Sequence, residues 1–282
     1  MDKLKWTEKI IYILVFIFFA LLALSLIIPF LWLIMNSFKT DLEFRGAANS
    51  LPERWIFNNY YVAFEQTVEG TNMLGMLLNS VIMTVGVVII GSFTNLLASY
   101  TMAKYKFKGN AFLYSLILIV MCIPAIGGTA FTFKFWHQIG IYDTFFSIFL
   151  SASGGFGSTF LLLYSSFKGV SWTYAEAAFM DGASNFRVFI QIMVPQIFPI
   201  VSAFAVLSAL GTWNDYFTSY MYLPGHPTLA YGLYEIQSAA TTKQMYPQLF
   251  AFMIICSIPM LIIFIFMQNT IMENVTTGGI KG

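Results

Sequence analysis

Six stretches of this sequence contain no Asp, Glu, Lys or Arg, and no other feature limits its fold as tightly. They run over residues 10–38, 71–103, 109–133, 144–167, 188–214 and 244–272. Each is longer than the ~20 apolar residues that carry a helix across the hydrocarbon core of a bilayer. Lipid offers backbone polar groups no water, so only helices and closed barrels span it, and these runs lack the alternation of barrel strands. The expectation is an all-α membrane protein with six transmembrane helices. The first stretch is too long for the apolar core of a secretory signal and has no small-residue cleavage site, so it reads as a retained span.

Only 10% of the residues are charged, against roughly 25% in soluble domains, which leaves too few charges for a water-facing surface. A net charge of +1 offers no footprint for a phosphate backbone, so nucleic acid is not an expected partner. No G-x-x-x-x-G-K-[ST] phosphate loop occurs, so the chain has no ATP site of that kind. His137 and His226 lack metal-ligand neighbours in sequence and read as plain surface residues; no metal site is expected. Cys122 and Cys256 fall in apolar stretches and read as buried small residues.

Orientation follows from Lys and Arg. With the N-terminus inside the cell, the inner segments hold Lys3, Lys5, Lys9, Lys104, Lys106, Lys108, Lys168, Arg187 and Lys281, nine residues against five outside. The short turn KYKFKG at 104–109 is the cleanest vote, because short loops obey the positive-inside rule best. Both termini are thus placed in the cytoplasm, and so is the segment 168–187.

That segment contains EAAFMDG at 176–182. Thr173 and Glu176 have the T-x-x-E spacing of a capping box, in which each side chain satisfies an orphan N–H. Residues 175–178 and Met180 favour helix, Gly182 can close it with a positive φ, and Ser184 can cap a second helix leading toward Pro195. Two short helices joined at Asp181–Gly182–Ala183 are predicted. Ala175, Ala178, Phe179 and Gly182 share one stripe of the first; Glu176, Ala177, Met180 and Asp181 take the opposite face. Small residues that admit a close neighbour, with a few charges to fix register, suit a helix docking into a partner's cleft. The same features describe an ordinary capped helix joining two spans.

The spacing is similar to that of the EAA loop of bacterial ABC importer permeases: EAA, three residues, Gly, nine residues, Ile, one residue, Leu-Pro. Here Glu176-Ala177-Ala178 leads through Gly182 and Ile192 to Val194-Pro195, with Val in place of Leu. Asp181-Gly182-Ala183 resembles the DGA of the carbohydrate-importing branch. NSFKT at 36–40, LPERWIFNNYYVAF at 51–64, Asn79-Ser80, SYTMAKYKFKG at 99–109, Trp213-Asn214-Asp215 and the final GGIKG resemble the maltose-type second permease of that branch. One departure is Val170-Ser171, where the family usually has Ile-Pro, so the start of the loop helix is expected to rely on the Thr173 cap.

The resemblance implies the type I ABC importer permease fold, with residues 1–9 and 273–282 as cytoplasmic tails. It implies a first helix with an extracytoplasmic segment over 10–70, and a five-helix core over 71–272 carrying the coupling loop 168–196. The chain would be a non-catalytic subunit that binds no cofactor. Its partners would be a second permease, two ATPase subunits that hold ATP and Mg, and an extracytoplasmic sugar-binding protein that delivers a carbohydrate at the bacterial plasma membrane. Glu176, Ala177, Ala178, Asp181, Gly182 and Ala183 would couple to the ATPase, and Gly279 and Lys281 of the tail would touch it.

Substrate contacts are assigned to Trp213, Asn214 and Tyr216, an aromatic and polar set at the outer end of the fifth span; an aromatic belt ending a helix reads the same way. The run SASGGFGST at 151–159 either lines the path or lets helices pack closely. Pro124, Gly127, Gly128 and Pro259 are candidate kinks. The segment 39–70 is expected to pack as a small cap that helps receive the binding protein. A self-sufficient secondary transporter or channel is the competing reading, but such proteins usually need an ionisable group within a span, and none of the six has one.

Overall fold

A computed structural model of the chain describes residues 6–123, 127–154, 156–243 and 245–277. Gly279, Lys281 and Pro124 lie outside the described residues. The chain runs as helices α1 (Trp6–Ser37), α2 (Asp41–Gly46) and α3 (Asn58–Glu65), then strands β1 (Thr67–Val68) and β2 (Thr71–Asn72). Helices α4 (Met73–Lys104), α5 (Asn110–Cys122), α6 (Gly128–Gln138), α7 (Phe145–Ser153) and α8 (Ser158–Gly169) follow. Next come α9 (Thr173–Met180), α10 (Asn185–Val188), a π-helical turn over Phe189–Met193, α11 (Val194–Gln196) and α12 (Phe198–Trp213). The last elements are α13 (Tyr216–Tyr222), α14 (Leu229–Lys243) and α15 (Tyr246–Thr277).

Among the described residues, three helical segments are long and apolar enough to cross a membrane: Glu8–Ser37, Met73–Lys104 and Tyr246–Ile265. Two bent pairs raise the number to five if each is one span: α7 with α8, at 47°, and Asn185–Gln196 with α12, at 84°. The apolar side chains of α1 are exposed almost throughout this single chain, an arrangement that water would punish and lipid does not.

The structure departs from the sequence reading in several places. The third uncharged stretch does not form one helix: α5 has only 13 residues, and α6 starts at Gly128 after Gly127 in the left-handed region, φ 79°. The fifth stretch is broken at Ile197, because Pro195 and Pro199 each lack the N–H that would continue the ladder. The SASGGFGST run sits where α7 gives way to α8. Pro259, by contrast, lies within the unbroken α15. Within the all-α class, one minimal hairpin joins α3 to α4: β1 and β2 pair antiparallel through Glu69 and Gly70, both with positive φ, as a tight hairpin requires.

The chain divides into two compact units. One comprises residues 1–66 and 233–258. Within it the segment after α1 packs on itself and on the end of that helix. Asn59 is buried and donates to the carbonyls of Ser37 and Lys39, both at 2.8 Å. Phe38 packs against Trp55, Phe57 and Tyr60. Lys39 is fully buried, its Nζ donating to the Ala47 carbonyl at 2.7 Å, and burial pushes its ammonium below the usual lysine range. Asp41 caps the start of α15 by accepting from Tyr246 N at 3.0 Å.

The other unit comprises residues 67–232 and 259–282. Its hub is α4, which packs against α7, α8 and α12. Ser99 Oγ donates to the Phe160 carbonyl, and Ser80 Oγ accepts from Leu229 N. The two histidines are engaged rather than bare: His226 pairs with Asp143 at 3.4 Å, and His137 stacks on Tyr142 at 3.8 Å.

Candidate functional site

The EAAFMDG segment forms α9 and its exit. The helix does not begin on a Thr173 capping box. Trp172 is the N-cap with near-helical φ and ψ, no side chain caps it, and Ser171 Oγ accepts from Thr173 N at 3.3 Å instead. Thr173 is thus already the first helical residue, one position too late to cap. The C-terminus behaves as the sequence predicts. Gly182 has φ 82°, its N–H donates to Phe179 O, and Ala183 N–H donates to Ala178 O, each at 3.0 Å. Those two bonds are the Schellman motif, which satisfies the last carbonyls of the helix. Ser184 Oγ then accepts from Arg187 N at 3.4 Å and caps α10.

Helix α9 is two-faced. Ala175 is fully buried, and Ala178 and Phe179 pack with it against a core of Tyr100, Phe167, Val188, Phe189 and Met193. Burying a methyl rather than a longer chain lets α9 lie close on that core. Glu176, Ala177, Met180 and Asp181 face outward, Met180 being 88% exposed. Among the described residues neither Glu176 nor Asp181 has an ion-pair partner. Glu176 lies in the first turn, where the helix dipole favours a negative charge. Beside this face, Thr173, Tyr174, Ala177 and Asp181 oppose Gln191, Ile192, Pro195 and Gln196 across a cavity of about 450 Å³. The EAA-to-Pro spacing therefore brings its two ends together around one open groove, with chemistry suited to docking and none suited to bond making.

Residues 95–275, which include the whole of this loop, match the sequence profile of the binding-protein-dependent transport system inner membrane component. The chain belongs to that family. Along its length the permease is similar to named relatives. It is 28% identical to the probable ABC transporter permease protein YurM of Bacillus subtilis, over 99% of this chain and 91% of that protein. It is 28% identical to the diacetylchitobiose uptake system permease protein NgcG of Streptomyces coelicolor, over 89% of this chain and 83% of that one. It is 29% identical to the maltodextrin transport system permease protein MalD of Streptococcus pneumoniae, over 100% and 99%.

The fold is that of a chain of a bacterial ABC transporter involved in the import of the acidic polysaccharide alginate, with TM-score 0.80 and 20% identity over 95% of this chain and 99% of that one. The permease is thus a membrane subunit of an ABC transporter and not an enzyme. Family membership also sets aside the reading of a self-sufficient secondary transporter or channel.

The other site residues are placed as follows. Trp213 is buried at the end of α12, 6% exposed, whereas Asn214 and Tyr216 are exposed. Asn214 Nδ2 donates to the Leu210 carbonyl at 2.8 Å, and Asp215 caps α13 by accepting from Thr218 N. Sequence reasoning missed Ser171, Tyr174 and Gln191, which shape the start of α9 and its groove; the only signal was their place beside the EAA spacing.

Proposed function

We propose that this permease is one of two paired membrane subunits of an ATP-driven importer that carries a sugar or oligosaccharide across the bacterial plasma membrane. Two separate ATPase subunits hold ATP and Mg, and one of them grips the outer face of α9 through Glu176, Ala177, Asp181 and the Gly182–Ala183 turn, while an extracytoplasmic sugar-binding protein delivers the substrate. The observation that carries this reading is the construction of α9: buried on one face, closed by a Schellman turn, and open on the face that bears Glu176, Met180 and Asp181. The substrate class is supported by relatives named for diacetylchitobiose and maltodextrin. Delivery by a binding protein is supported by a related fold, TM-score 0.62, solved as an alginate transporter in complex with an alginate pentasaccharide-bound periplasmic protein.

In this reading the six spans are α1, α4, the uncharged stretch 109–133 that begins with α5, the α7–α8 pair, the bent stretch ending in α12, and α15, and the Lys and Arg distribution puts both termini in the cytoplasm. Asn214 and Tyr216 present an amide and an aromatic ring to the substrate path, with Trp213 packed behind them.

The test is uptake by the reconstituted complex across a panel of labelled maltodextrins, chitooligosaccharides and alginate oligosaccharides. At least one should accumulate only with ATP. Glu176→Lys should lower that uptake about tenfold or more, since a reversed charge on a docking face costs at least ~1.4 kcal/mol, with the chain still inserted. Uptake by the permease alone, or without ATP, would overturn the proposal.

A further inference from the structure

Helix α9 is eight residues long, and a push on so short an element moves a span only if both its ends are tied to something stiff. The structure ties both ends to the same place, two consecutive residues at the inner end of α4. Lys104 Nζ donates to the carbonyl of Val170 at 2.5 Å. Val170 is the C-cap of α8, and only Ser171 and Trp172 separate it from α9. Tyr105 reaches the other end, its hydroxyl donating to Asn185 Oδ1 at 3.1 Å. Asn185 opens α10, directly after the Gly182 turn and the Ser184 cap.

The ring of Tyr105 reinforces both ties. It lies edge-on to Trp172, the N-cap of α9, at 5.8 Å, and to Tyr100 at 5.6 Å. Tyr100 in turn packs on Phe167 of α8 at 5.4 Å and on Phe189 of the π-helical turn at 4.9 Å. The backbone at this corner is fixed as well. Tyr105 N donates to Thr101 O at 3.0 Å, and Asn110 Nδ2 donates to the carbonyls of Met102 and Tyr105 at 3.0 and 2.9 Å, satisfying groups that a helix end leaves unpaired.

We propose that Lys104 and Tyr105 are positioning residues that strap the two ends of α9 to α4, so that displacement of α9 is delivered to the hub helix instead of being absorbed by a swinging loop. The inference rests on the coupling role of α9 given above. The division of labour follows from the acceptors: Lys104 holds a backbone carbonyl, independent of the side chain at 170, whereas Tyr105 requires an acceptor at 185. Lys106 and Lys108, on the same turn, are exposed and take no part in the strap.

The experiment uses the whole complex in nanodiscs, with an environment-sensitive fluorophore on Leu74→Cys, an exposed position at the far end of α4. Cys122 and Cys256 are replaced beforehand. The readout is the signal change on adding ATP and vanadate. Lys104→Met and Tyr105→Phe should each shrink it about threefold or more, the scale set by one lost hydrogen bond, while ATPase still co-purifies. Lys104→Arg should restore it. Tyr105→Phe combined with Asn185→Ala should be no worse than Tyr105→Phe alone, because both remove the Tyr105–Asn185 bond and only Tyr105→Phe also removes the longer contact with the Tyr100 hydroxyl at 3.5 Å.

A wild-type response in the Lys104→Met Tyr105→Phe double variant, or additive losses in the Tyr105 and Asn185 pair, would overturn the strap. If Lys104→Met fails to assemble, the exposed Asn185 and the ring-preserving Tyr105→Phe decide alone. Absence of any ATP-dependent signal in wild type would instead count against the coupling role of α9 itself.

Discussion

The turn that ends α9 offers a substitution whose cost can be worked from geometry alone. Gly182 has φ 82°, and a Cβ added there meets nothing within 4 Å. Gly182→Ala therefore carries no clash, only the conformational cost of an L-residue in the left-handed region, about 1–2 kcal/mol. Gly182→Asn should cost less, because Asn visits that region with a local hydrogen bond of its own. Gly182→Pro should cost most: the ring holds φ near −65° and removes the N–H that donates to Phe179 O.

Local opening of α9 should then be about 5- to 30-fold more frequent in the Ala variant than in wild type, for a cost of one to two kcal/mol. Amide exchange of residues 173–183 in the purified complex reads that factor directly. The expected order of exchange rates is wild type, Asn, Ala, Pro, with ATPase retention falling in the same order. Equal exchange in wild type and the Ala variant, or faster exchange with Asn than with Ala, would refute the claim that the Schellman turn holds this helix.

Two further predictions concern the packing outside the loop. Burial holds Lys39 below its ordinary pKa of 10.5, so between the depressed value and 10.5 the folded chain has released a proton that the unfolded chain keeps. Stability should rise with pH through that window relative to Lys39→Met, and parallel melting profiles of the two proteins would contradict this. Gly86→Ala would press a methyl into the ring of Phe149, within the contact between α4 and α7. The ring is only half-buried and can swing, so the loss should be about 1 kcal/mol, the low end for overpacking. Phe149→Leu should rescue it in a thermal melt, and no rescue would locate the strain elsewhere.

What the sequence made legible, and what it hid, has a physical pattern. The stretches 10–38, 71–103 and 244–272 match α1, α4 and α15 closely, because a long uncharged run with no consecutive breakers has one way to satisfy its backbone in lipid. The stretch 188–214 misled because absence of charge reports burial, not direction. Val188, Phe189 and Met193 are buried in the core beneath α9, on the other side of the bend from α12. The pair Pro195 and Pro199 was the available sign of the 84° bend.

The Gly182 turn was readable because a positive φ after a helix selects Gly so strongly. The Thr173 cap was misplaced because T-x-x-E fixes a spacing, whereas the helix start was decided by Trp172 settling on the core. Lys39 counts as one more extracytoplasmic charge by sequence, and no local pattern announces its full burial over the Ala47 carbonyl. The strap at Lys104 and Tyr105 was likewise hidden, since its acceptors lie 66 and 80 residues away.

The measurement that bears most directly on the account is the sidedness and partner of residue 180. Met180 is 88% exposed on the outer face of α9, so Met180→Cys, with Cys122 and Cys256 replaced, places a reporter where the ATPase should grip. In the assembled complex a membrane-impermeant maleimide added from outside should leave it unmodified, and a short bifunctional crosslinker should join it to the ATPase subunit. Labelling of residue 180 from outside the cell, or crosslinking only to the extracytoplasmic binding protein, would contradict the account.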